Sequence, residues 1–570
     1  MLGNEAVARG LYEAGVSVVS SYPGTPSTEI TECVAKFNEI DAEWAPNEKV
    51  ALEVAIGSSI SGVRSFAAMK HVGLNVAADP LFTASYTGVN GGLVLVVADD
   101  QGLHSSQNEQ DSRNYALAAK LPMVEPSDSM EAKENTKLFY EISEKFDTPV
   151  ILRMSTRVSH SQSIVELNDR TEVQPKEYKK DIQKYVMMPA MAKKRHIVVE
   201  ERICNLREYA ETSPLNRVEY NDKKIGIITS GIAYQYAKEA VPNASFLKLG
   251  MVHPMPEKLI KDFCEACEVV YVCEELDDFI ETYIRKIGIT NIHGKDVFSR
   301  LGELSAEIVR EKILGIKPEY TPLTEQIPVR PPVLCPGCPH RGIFYVLNKL
   351  KLTVSGDIGC YTLGSMAPLS AIDTCICMGA SISSAHGIFK GNKELAKKNV
   401  AVIGDSTFIH SGITSLIDIT YNQGASTVII LDNSITGMTG HQQNPTTGYT
   451  LKGDPTAKVD LEALCKSIGV TNIRVADPFD VEEMEKVIKE ELAKDEPSVI
   501  ISRRPCALLK SVKYDNNVKV DANKCIGCKM CMKIGCPAIT MKDGKMVINE
   551  TLCNNCGLCS NICKIGAISK

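Results

Sequence analysis

The sequence lacks the features that would assign the protein to a membrane, a secretory pathway or a nucleic acid. Its longest apolar run, near Leu93 to Ala98, is far shorter than the roughly 20 residues that span a bilayer. The first ten residues contain no apolar signal core, so we expect a cytoplasmic protein. Aromatic residues are few, and a net charge of −7 provides no strong field for nucleic acid or an anionic membrane. We therefore expect neither as a partner.

Cysteine, in contrast, is abundant and clustered. Eight of the 20 cysteines lie between Cys525 and Cys563, a density that indicates metal binding and not disulfides in a large chain without a secretion signal. They form two halves, C-x2-C-x2-C-x4-C-P and C-x2-C-x2-C-x3-C, which is the pattern of two-cluster bacterial ferredoxins. In that pattern the fourth cysteine of each half binds the cluster of the other half.

The spacing therefore predicts two [4Fe–4S] clusters with crossed ligands. The first would be held by Cys525, Cys528, Cys531 and Cys563, and the second by Cys553, Cys556, Cys559 and Cys536. An extra residue before Cys536, and Lys564 where a proline is usual, leave the geometry of the clusters open. Two zinc knuckles are the alternative, but a fused repeat of this kind matches no common zinc spacing.

Two apolar runs in the middle of the chain each end in oxygen ligands. Val400 to Ile403 is followed by Gly404-Asp405-Ser406, and Val428 to Leu431 is followed by Asp432-Asn433. Buried parallel strands would bring both ends to one edge of a sheet, where α/β folds bind ligands. Asp405, Asn433 and the carbonyl of Ile435 would suit a Mg²⁺ ion that holds a diphosphate. The alternative is two ordinary turns, since these residue types are common turn formers.

The two motifs together resemble the thiamine diphosphate signature, which begins Gly-Asp-Gly and ends in Asn. Ser406 replaces the second glycine of the signature, but Asp405 and Asn433 are the residues that would contact the metal. Upstream, Gly379-Ala380-Ser381 is a glycine-bearing turn into a helix and would present backbone N–H groups to a phosphate.

Glu48 opens a predicted helix, Lys49 to Ile60, near the start of the chain. Thiamine enzymes need a carboxyl group beside N1′ of the aminopyrimidine, because a proton shared there favours the imino tautomer that activates C2. A glutamate in a first helical turn is also common, since it complements the helix dipole. Spacing alone favours this second interpretation.

Essentially the whole chain resembles the α subunits of indolepyruvate:ferredoxin oxidoreductases, within the 2-oxoacid:ferredoxin oxidoreductase superfamily. The matching segments are YPGTPS (22–27), KHVGLNVAADPL (70–81), ADDQGLHSSQNEQDSR (98–113), RPPVLCPGCPHRG (330–342) and SGDIGCYTLG (355–364). The resemblance implies that Glu48 is the pyrimidine glutamate and that Thr25 lies near the substrate carbonyl. It also implies a separate β subunit.

The fold expected is α/β, with several doubly wound parallel-sheet domains of the thiamine diphosphate-binding type and a C-terminal α+β domain like a two-cluster ferredoxin. The expected domains are a pyrimidine-binding domain at 1–165, a charged connector at 166–222, a transketolase C-terminal-like domain at 223–320, a diphosphate- and Mg-binding domain at 330–512, and the ferredoxin domain at 515–570.

The activity that the resemblance implies is oxidative decarboxylation of aryl 2-oxoacids, such as indolepyruvate and phenylpyruvates, in anaerobic amino-acid catabolism. CoA and oxidised ferredoxin would be consumed, and aryl-acetyl-CoA, CO₂ and reduced ferredoxin would be formed through a thiamine diphosphate adduct. Because Glu48 and Asp405 fall in separate domains, we expect the cofactor at an interface and an α2β2 assembly. A non-oxidative thiamine decarboxylase, which needs no clusters, and a pure electron-transfer subunit, which needs no thiamine, stay open.

A third cluster is a further expectation. Cys335, Cys338, Cys360 and Cys506 resemble, in order and spacing, the proximal-cluster ligands of pyruvate:ferredoxin oxidoreductases. Such a cluster beside the thiamine would shorten the path of electrons to the tail. The alternative is that Cys335 and Cys338 shape a Pro-Gly turn while the other two are core residues.

Overall fold

A computed structural model describes residues 1–319, 323–515 and 517–570. The chain forms two compact units, Met1–Thr324 and Glu325–Lys570. The domain boundary predicted at residue 320 lies outside the described residues. In the described part of the chain, no helix combines the length and the apolarity that crossing a membrane requires.

The first unit alternates strands and helices. Its strands are β1 (Val18–Ser21), β2 (Asp41–Trp44), β3 (Ser65–Lys70), β4 (Leu93–Asp99), β5 (Met123–Val124), β6 (Val150–Ser155), β7 (Arg217–Glu219), β8 (Asp222–Thr229), β9 (Ala244–Lys248), β10 (Met251–His253) and β11 (Val269–Cys273). Its helices are α1 (Gly3–Glu13), α2 (Thr28–Val34), α3 (Glu48–Ile60), α4 (His71–Val76), α5 (Ala78–Thr87), α6 (Arg113–Ala119), α7 (Ser129–Phe146), α8 (Thr156–His160), α9 (Ile182–Tyr185), α10 (Pro189–Thr212), α11 (Gly231–Ala240), α12 (Glu257–Ala266), α13 (Phe279–Lys286) and α14 (Ala306–Leu314).

The first sheet has the strand order β10-β5-β6-β4-β3-β1-β2 and is parallel except where β10 joins β5. Strands β3 and β4 are buried along their whole length, which is why their sequences are nearly continuous apolar runs. Strand β2 lies at the edge and is half exposed, so it carries little apolar signal and escapes prediction from the sequence. Strand β10 lies after the connector in the sequence, and no local sequence pattern predicts that it pairs with β5.

A second sheet, with the order β11-β8-β9-β7, begins with β7 inside the last residues of the predicted connector. Buried ion pairs join its region to the first sheet. The guanidinium of Arg113 contacts Asp111 at 2.5 Å and Glu274 at 2.6 Å, and all three side chains are about fully buried. Glu125 accepts a hydrogen bond from the Ser230 hydroxyl at 2.8 Å. These charges are acceptable in the interior because they are paired and hydrogen-bonded.

The second unit is built on a parallel sheet with the order β13-β12-β14-β15-β17-β16. Its strands are β12 (Thr353–Gly356), β13 (Thr374–Cys375), β14 (Asn399–Gly404), β15 (Thr427–Asp432), β16 (Asn472–Ala476) and β17 (Ser498–Arg503), followed in the tail by β18 (Lys519–Val520), β19 (Ile539–Lys542), β20 (Lys545–Ile548) and β21 (Ile568–Ser569). Its helices are α15 (His340–Leu350), α16 (Ala380–Gly391), α17 (Lys393–Ala396), α18 (Asp405–Thr407), α19 (Ile413–Tyr421), α20 (Leu461–Ser467), α21 (Val481–Leu492) and α22 (Leu558–Ile562).

The cysteine-rich tail forms two small antiparallel pairs, β18 with β21 and β19 with β20. Its apolar residues Ile534, Leu558 and Ile562 belong to the same buried cluster as Phe344 and Leu347 of α15. The tail is thus anchored to the parallel-sheet region by a common core. Parallel sheets followed by a small α+β segment confirm the predicted fold class.

Candidate functional site

The two predicted oxygen-ligand motifs meet at one edge of the second unit's sheet. Strands β14 and β15 are parallel neighbours, with Gly404 opposite Leu431, so the residues that follow each strand lie side by side. The backbone N–H of Ser434 donates to the Asp405 carboxylate at 3.1 Å. Gly404 lies against the ring of Tyr361, which a Cβ atom would approach to 2.7 Å, so only glycine fits there.

The Asp405 carboxylate is buried and accepts hydrogen bonds, but it forms no ion pair with a basic side chain among the described residues. Ser406 N–H donates to it at 2.8 Å and the Thr446 hydroxyl at 3.1 Å, yet no basic side chain pairs with it in the described residues. Burial raises the pKa of Asp405 to about 7, and the neighbouring Asp432 adds to the rise. A divalent cation would reverse this balance by stabilising the ionised form. The residues present therefore fit a Mg²⁺ ion.

Asn433 and Ile435 lie in the turn that closes on Asp405. Asn433 is 8% exposed, and its side-chain oxygen accepts a hydrogen bond from the N–H of Ile435 at 3.3 Å. Its backbone carbonyl accepts the N–H of Cys506 at 2.9 Å. The adjacent Asp432 is engaged by Arg503 at 2.8 Å, which leaves Asp405 as the carboxylate without a basic partner in this turn. Assignment of Asp405, Asn433 and Ile435 as Mg²⁺ ligands stays a prediction.

The Gly379-Ala380-Ser381 turn opens α16 with Gly379 in a left-handed conformation, at a φ of 85°. Its N–H groups already have acceptors. Those of Gly379 and Ser381 donate to the carboxylate of Asp357, at 2.8 and 3.0 Å, and that of Ala380 donates to the carbonyl of Cys377 at 3.1 Å. Binding of a phosphate at this turn would require Asp357 to release its two N–H groups. Nothing in the Gly379-Ala380-Ser381 sequence itself indicates Asp357 as the partner of this turn.

Glu48 and Thr25 lie in the first unit, and each follows a strand of its sheet. Glu48 is the first residue of α3, is 5% exposed, and follows Asn47, whose side chain caps the helix by accepting the N–H of Val50. Its carboxyl group packs against Gly73, where a Cβ atom would lie 2.6 Å from Glu48 Oε1. The turn that contains Thr25 is touched by Ser105, whose hydroxyl lies 3.5 Å from the Thr25 carbonyl.

A buried lysine, which the sequence patterns did not single out, lies beside this turn. Lys70 ends β3, and its ammonium donates to the carbonyl of Ser105 at 2.7 Å and lies 3.9 Å from the Asp100 carboxylate. Burial lowers the pKa of Lys70 to about 8, and Asp100 opposes this shift only partly. Because β1, β2 and β3 are parallel neighbours, Thr25, Glu48 and Lys70 all lie at the carboxyl ends of the strands of the first sheet.

The cysteines of the tail surround two cavities in the predicted combinations. The first cysteine cavity is lined by Cys525, Cys528, Cys531 and Cys563, together with Met541, Met546 and Ile568. The second cysteine cavity is lined by Cys536, Cys553, Cys556 and Cys559. Each cavity therefore takes three cysteines from one half of the repeat and the fourth from the other half.

Hydrogen bonding at the first cysteine cavity suits thiolate ligands. The N–H of Met546 donates to Cys525 Sγ at 3.4 Å, and this donor, with the N–H of Gly527, lowers the pKa of the Cys525 thiol. No group of three or more His, Cys, Asp or Glu side chains among residues 1–319, 323–515 and 517–570 is arranged to hold a metal ion. A cubane cluster, however, is bound by four thiolates placed around it and not around a single ion.

Cys335, Cys338, Cys360 and Cys506 form a third group, here called the proximal set. Burial, together with the nearby thiols of Cys506 and Cys335, raises the pKa of Cys360 to about 11, so these thiols are electrostatic neighbours. Cys360 Sγ lies 3.4 Å from the position that a Cβ on Gly437 would occupy. The backbone N–H of Cys506 donates a hydrogen bond to the carbonyl of Asn433. The proximal set therefore adjoins the turn that contacts Asp405. Cys335 and Cys338 also form a hydrogen-bonded turn, as the alternative interpretation requires.

Three regions of the chain match models of known protein families. Residues 9–224 match the family model "Pyruvate flavodoxin/ferredoxin oxidoreductase, thiamine diP-bdg". Residues 357–502 match "Thiamine pyrophosphate enzyme, C-terminal TPP binding domain", and residues 546–569 match "4Fe-4S binding domain". The last match covers the region of one predicted cluster only.

Relatives match over the entire chain. Indolepyruvate oxidoreductase subunit IorA of Archaeoglobus fulgidus is 42% identical, with 100% of this chain and 97% of the relative covered. The subunits of the same name from Pyrococcus horikoshii and Methanothermobacter thermautotrophicus are 40% and 38% identical, each covered to 96% by 100% of this chain.

Thiamine-binding domains and an iron–sulfur domain in one chain define an enzyme subunit of the thiamine-dependent 2-oxoacid:ferredoxin oxidoreductase class. The chain belongs to the family of indolepyruvate oxidoreductase subunits IorA. The family resemblance seen in the sequence is thereby confirmed.

Proposed function

We propose that this chain is the catalytic subunit of an enzyme that oxidatively decarboxylates aryl 2-oxoacids, with indolepyruvate as the substrate its relatives' name indicates. One oxoacid, one CoA and two oxidised ferredoxins would give one aryl-acetyl-CoA, one CO₂, one proton and two reduced ferredoxins. The observation that carries the proposal is the contact between the Asp405 turn and the proximal set, made by the Cys506 N–H and the Asn433 carbonyl. A bond-cleaving site directly beside cysteines that can hold a one-electron acceptor suits oxidation, and a simple decarboxylase has no use for it.

The predicted site residues would have two roles, which are binding of the cofactor and control of a proton on it. Thiamine diphosphate, when bound, supplies the nucleophilic carbon and the electron sink for loss of CO₂. Asp405, Asn433 and the Ile435 carbonyl would hold the Mg²⁺ ion of its diphosphate, with Gly404 and Ser406 shaping the turn. In the first unit, Glu48 would hold a proton at the aminopyrimidine, and Thr25 would contact the substrate carbonyl.

The proximal set would hold one [4Fe–4S] cluster beside the cofactor, and the two cysteine cavities would hold two more; such clusters supply one-electron acceptors. Pro336 and Gly337, in the proximal turn from Cys335 to Cys338, line the second cysteine cavity. This proximity supports an electron path from the proximal set to the second cysteine cavity and then to the first. Cys528 in the first cysteine cavity is exposed, so we propose that external ferredoxin meets the cluster there.

The working enzyme would be a cytoplasmic α2β2 assembly with a separate β subunit. Since the predicted pyrimidine and diphosphate residues belong to separate domains, we propose that two α chains pair within this assembly. Full activity in an isolated αβ pair would contradict this assembly.

The test compares Glu48→Gln with Glu53→Gln in anaerobically purified holoenzyme. Glu53 lies on the same helix but is exposed and paired with Lys49, so its variant is a matched control. We expect Glu48→Gln to lose oxoacid oxidation while its iron–sulfur spectrum stays intact, and Glu53→Gln to keep both. Undiminished turnover in Glu48→Gln would refute the site. Iron analysis should give about twelve atoms per chain, four for each cluster, and a value of about eight would remove the proximal cluster.

A further inference from the structure

Arg341 is a buried cation that has no carboxylate partner among the described residues. It lies in the first turn of α15, is 2% exposed, and is among the largest fully buried side chains. Its guanidinium donates to three backbone carbonyls: to Cys335 and to Ile534 at 2.9 Å each, and to Leu334. No Asp or Glu forms an ion pair with it in the described part of the chain. An arginine stays charged in proteins, so this charge needs compensation from another source.

Thiolates bound to the predicted clusters would supply the compensating negative charge. Arg341 lines the second cysteine cavity with Cys536 and Cys556. Burial lowers the pKa of its guanidinium, while the thiols of Cys536, Cys338, Cys335 and Cys556 act in the opposite direction. Two of these belong to the second cysteine cavity and two to the proximal set. Arg341 thus stands between two predicted clusters and beside the thiolates of both.

The backbone contacts around Arg341 hold these two regions together. Asn554 donates from its side chain to the carbonyl of Pro336 at 3.0 Å. Gly337 has a φ of 71°, and a Cβ there would lie 2.1 Å from Asn554 Nδ2. The proximal turn can approach the cavity this closely only with glycine at 337. The Arg341 guanidinium spans the same junction from Cys335 to Ile534.

We propose that Arg341 raises the reduction potential of the cluster held by Cys536, Cys553, Cys556 and Cys559, whose cavity it lines. This inference rests on the cluster assignments of the proposed function. Reduction adds one negative charge to a cluster. A fixed positive charge at close range in a low-dielectric interior stabilises the reduced state and raises the potential.

The test is a redox titration, monitored by electron paramagnetic resonance, of the anaerobically purified full-length holoenzyme with a chemical mediator and no oxoacid. In Arg341→Gln, we expect the midpoint of the cluster in the second cysteine cavity to become more negative, and any shift of the proximal cluster to have the same sign, because Arg341 also neighbours Cys335 and Cys338. The cluster of the first cysteine cavity, which Arg341 does not line, should keep its midpoint and serves as an internal control. Arg474→Gln removes a partly exposed arginine paired with Glu490, and it should shift no midpoint.

Arg341→Lys separates charge from hydrogen bonding, because lysine keeps the charge but cannot reproduce the three-carbonyl geometry. We expect its midpoint to stay near that of the wild type. Unchanged midpoints in Arg341→Gln with full iron content would overturn the proposal. If Arg341→Gln loses the cluster, Arg341→Lys decides: a retained midpoint supports the charge effect, whereas a negative shift, or loss of the cluster in both variants, shows a purely structural role.

The readout separates this inference from the proposed function. The titration requires neither indolepyruvate nor CoA. A shifted midpoint in a protein that oxidises no 2-oxoacid would uphold the role of Arg341 and refute the proposed function alone. Normal oxoacid turnover with an unshifted midpoint in Arg341→Gln would uphold the proposed function and refute the role of Arg341.

Discussion

A methyl group at Gly73 would displace the carboxyl group of Glu48 without removing it. In the first unit, a Cβ at Gly73 would lie 2.6 Å from both Cγ and Oε1 of Glu48, where ordinary contacts are 3.4–4 Å. Glu48 would have to retreat by about 1 Å, and a misplacement of that size costs on the order of 100-fold in rate at an active site. We therefore expect Gly73→Ala to lower kcat by roughly that factor.

Gly57→Ala is the matched control for this change. Gly57 lies in the same helix as Glu48, and a Cβ there would have nothing within 4 Å. Replacing a glycine in a helix interior by alanine adds about 0.5–1 kcal/mol of stability. Gly57→Ala should therefore be slightly more stable than the wild type and equally active.

The assay is the rate of deuterium exchange at C2 of bound thiamine diphosphate, together with cofactor affinity and oxoacid turnover. We expect exchange and turnover to fall together in Gly73→Ala while Mg²⁺-dependent cofactor affinity changes little, because the diphosphate residues are untouched. Wild-type exchange in Gly73→Ala would refute the role assigned to Glu48.

Three further perturbations test other parts of the account. Asp405→Asn removes the buried carboxylate, so Mg²⁺-dependent affinity for thiamine diphosphate, measured by calorimetry, should fall at least about tenfold, whereas retained affinity would exclude Asp405 as a ligand. Cys563→Ala should remove about four irons per chain and leave the spectrum of the second cysteine cavity; loss of that cavity's cluster instead would contradict the crossed pairing. Burial lowers the pKa of Lys70 from 10.5 to about 8, so the charged form disfavours folding at neutral pH, and that penalty fades as the pH rises from about 8 to 10.5. The wild type should therefore gain up to about 3 kcal/mol in free energy of unfolding between these two pH values, whereas Lys70→Met should not. A difference in thermal midpoint between the two proteins that does not change with pH would refute the lowered pKa of Lys70.

The sequence predicts the parts of this protein whose signal is local. Strand β4 occupies Leu93–Asp99, as its apolar run indicates, and α3 begins within one residue of the predicted start. Asp405 and Asn433 each follow such a run, so their meeting at one sheet edge could be inferred from parallel-sheet geometry alone. The cysteine spacing likewise predicts which four residues line each cavity.

Long-range contacts are what the sequence could not reveal. Thr446 reaches Asp405 from 41 residues away in a loop without periodicity. Asp357 takes the N–H groups of the α16 turn, although nothing in the glycine pattern points to it. Arg341 gains its importance only from the carbonyls and sulfurs that the fold gathers around it. In each case the partner is selected by tertiary packing, which leaves no repeat in the chain.

Electron transfer from an oxoacid to the clusters is tested by the visible absorbance of the clusters in holoenzyme purified without oxygen, with any partner subunit attached. We expect bleaching when thiamine diphosphate, Mg²⁺ and indolepyruvate are added, and sustained turnover only when CoA and ferredoxin are also present. Bleaching would show electrons passing from an oxoacid through the thiamine site into the clusters. Full iron content with no bleaching by indolepyruvate or any other 2-oxoacid would contradict the account.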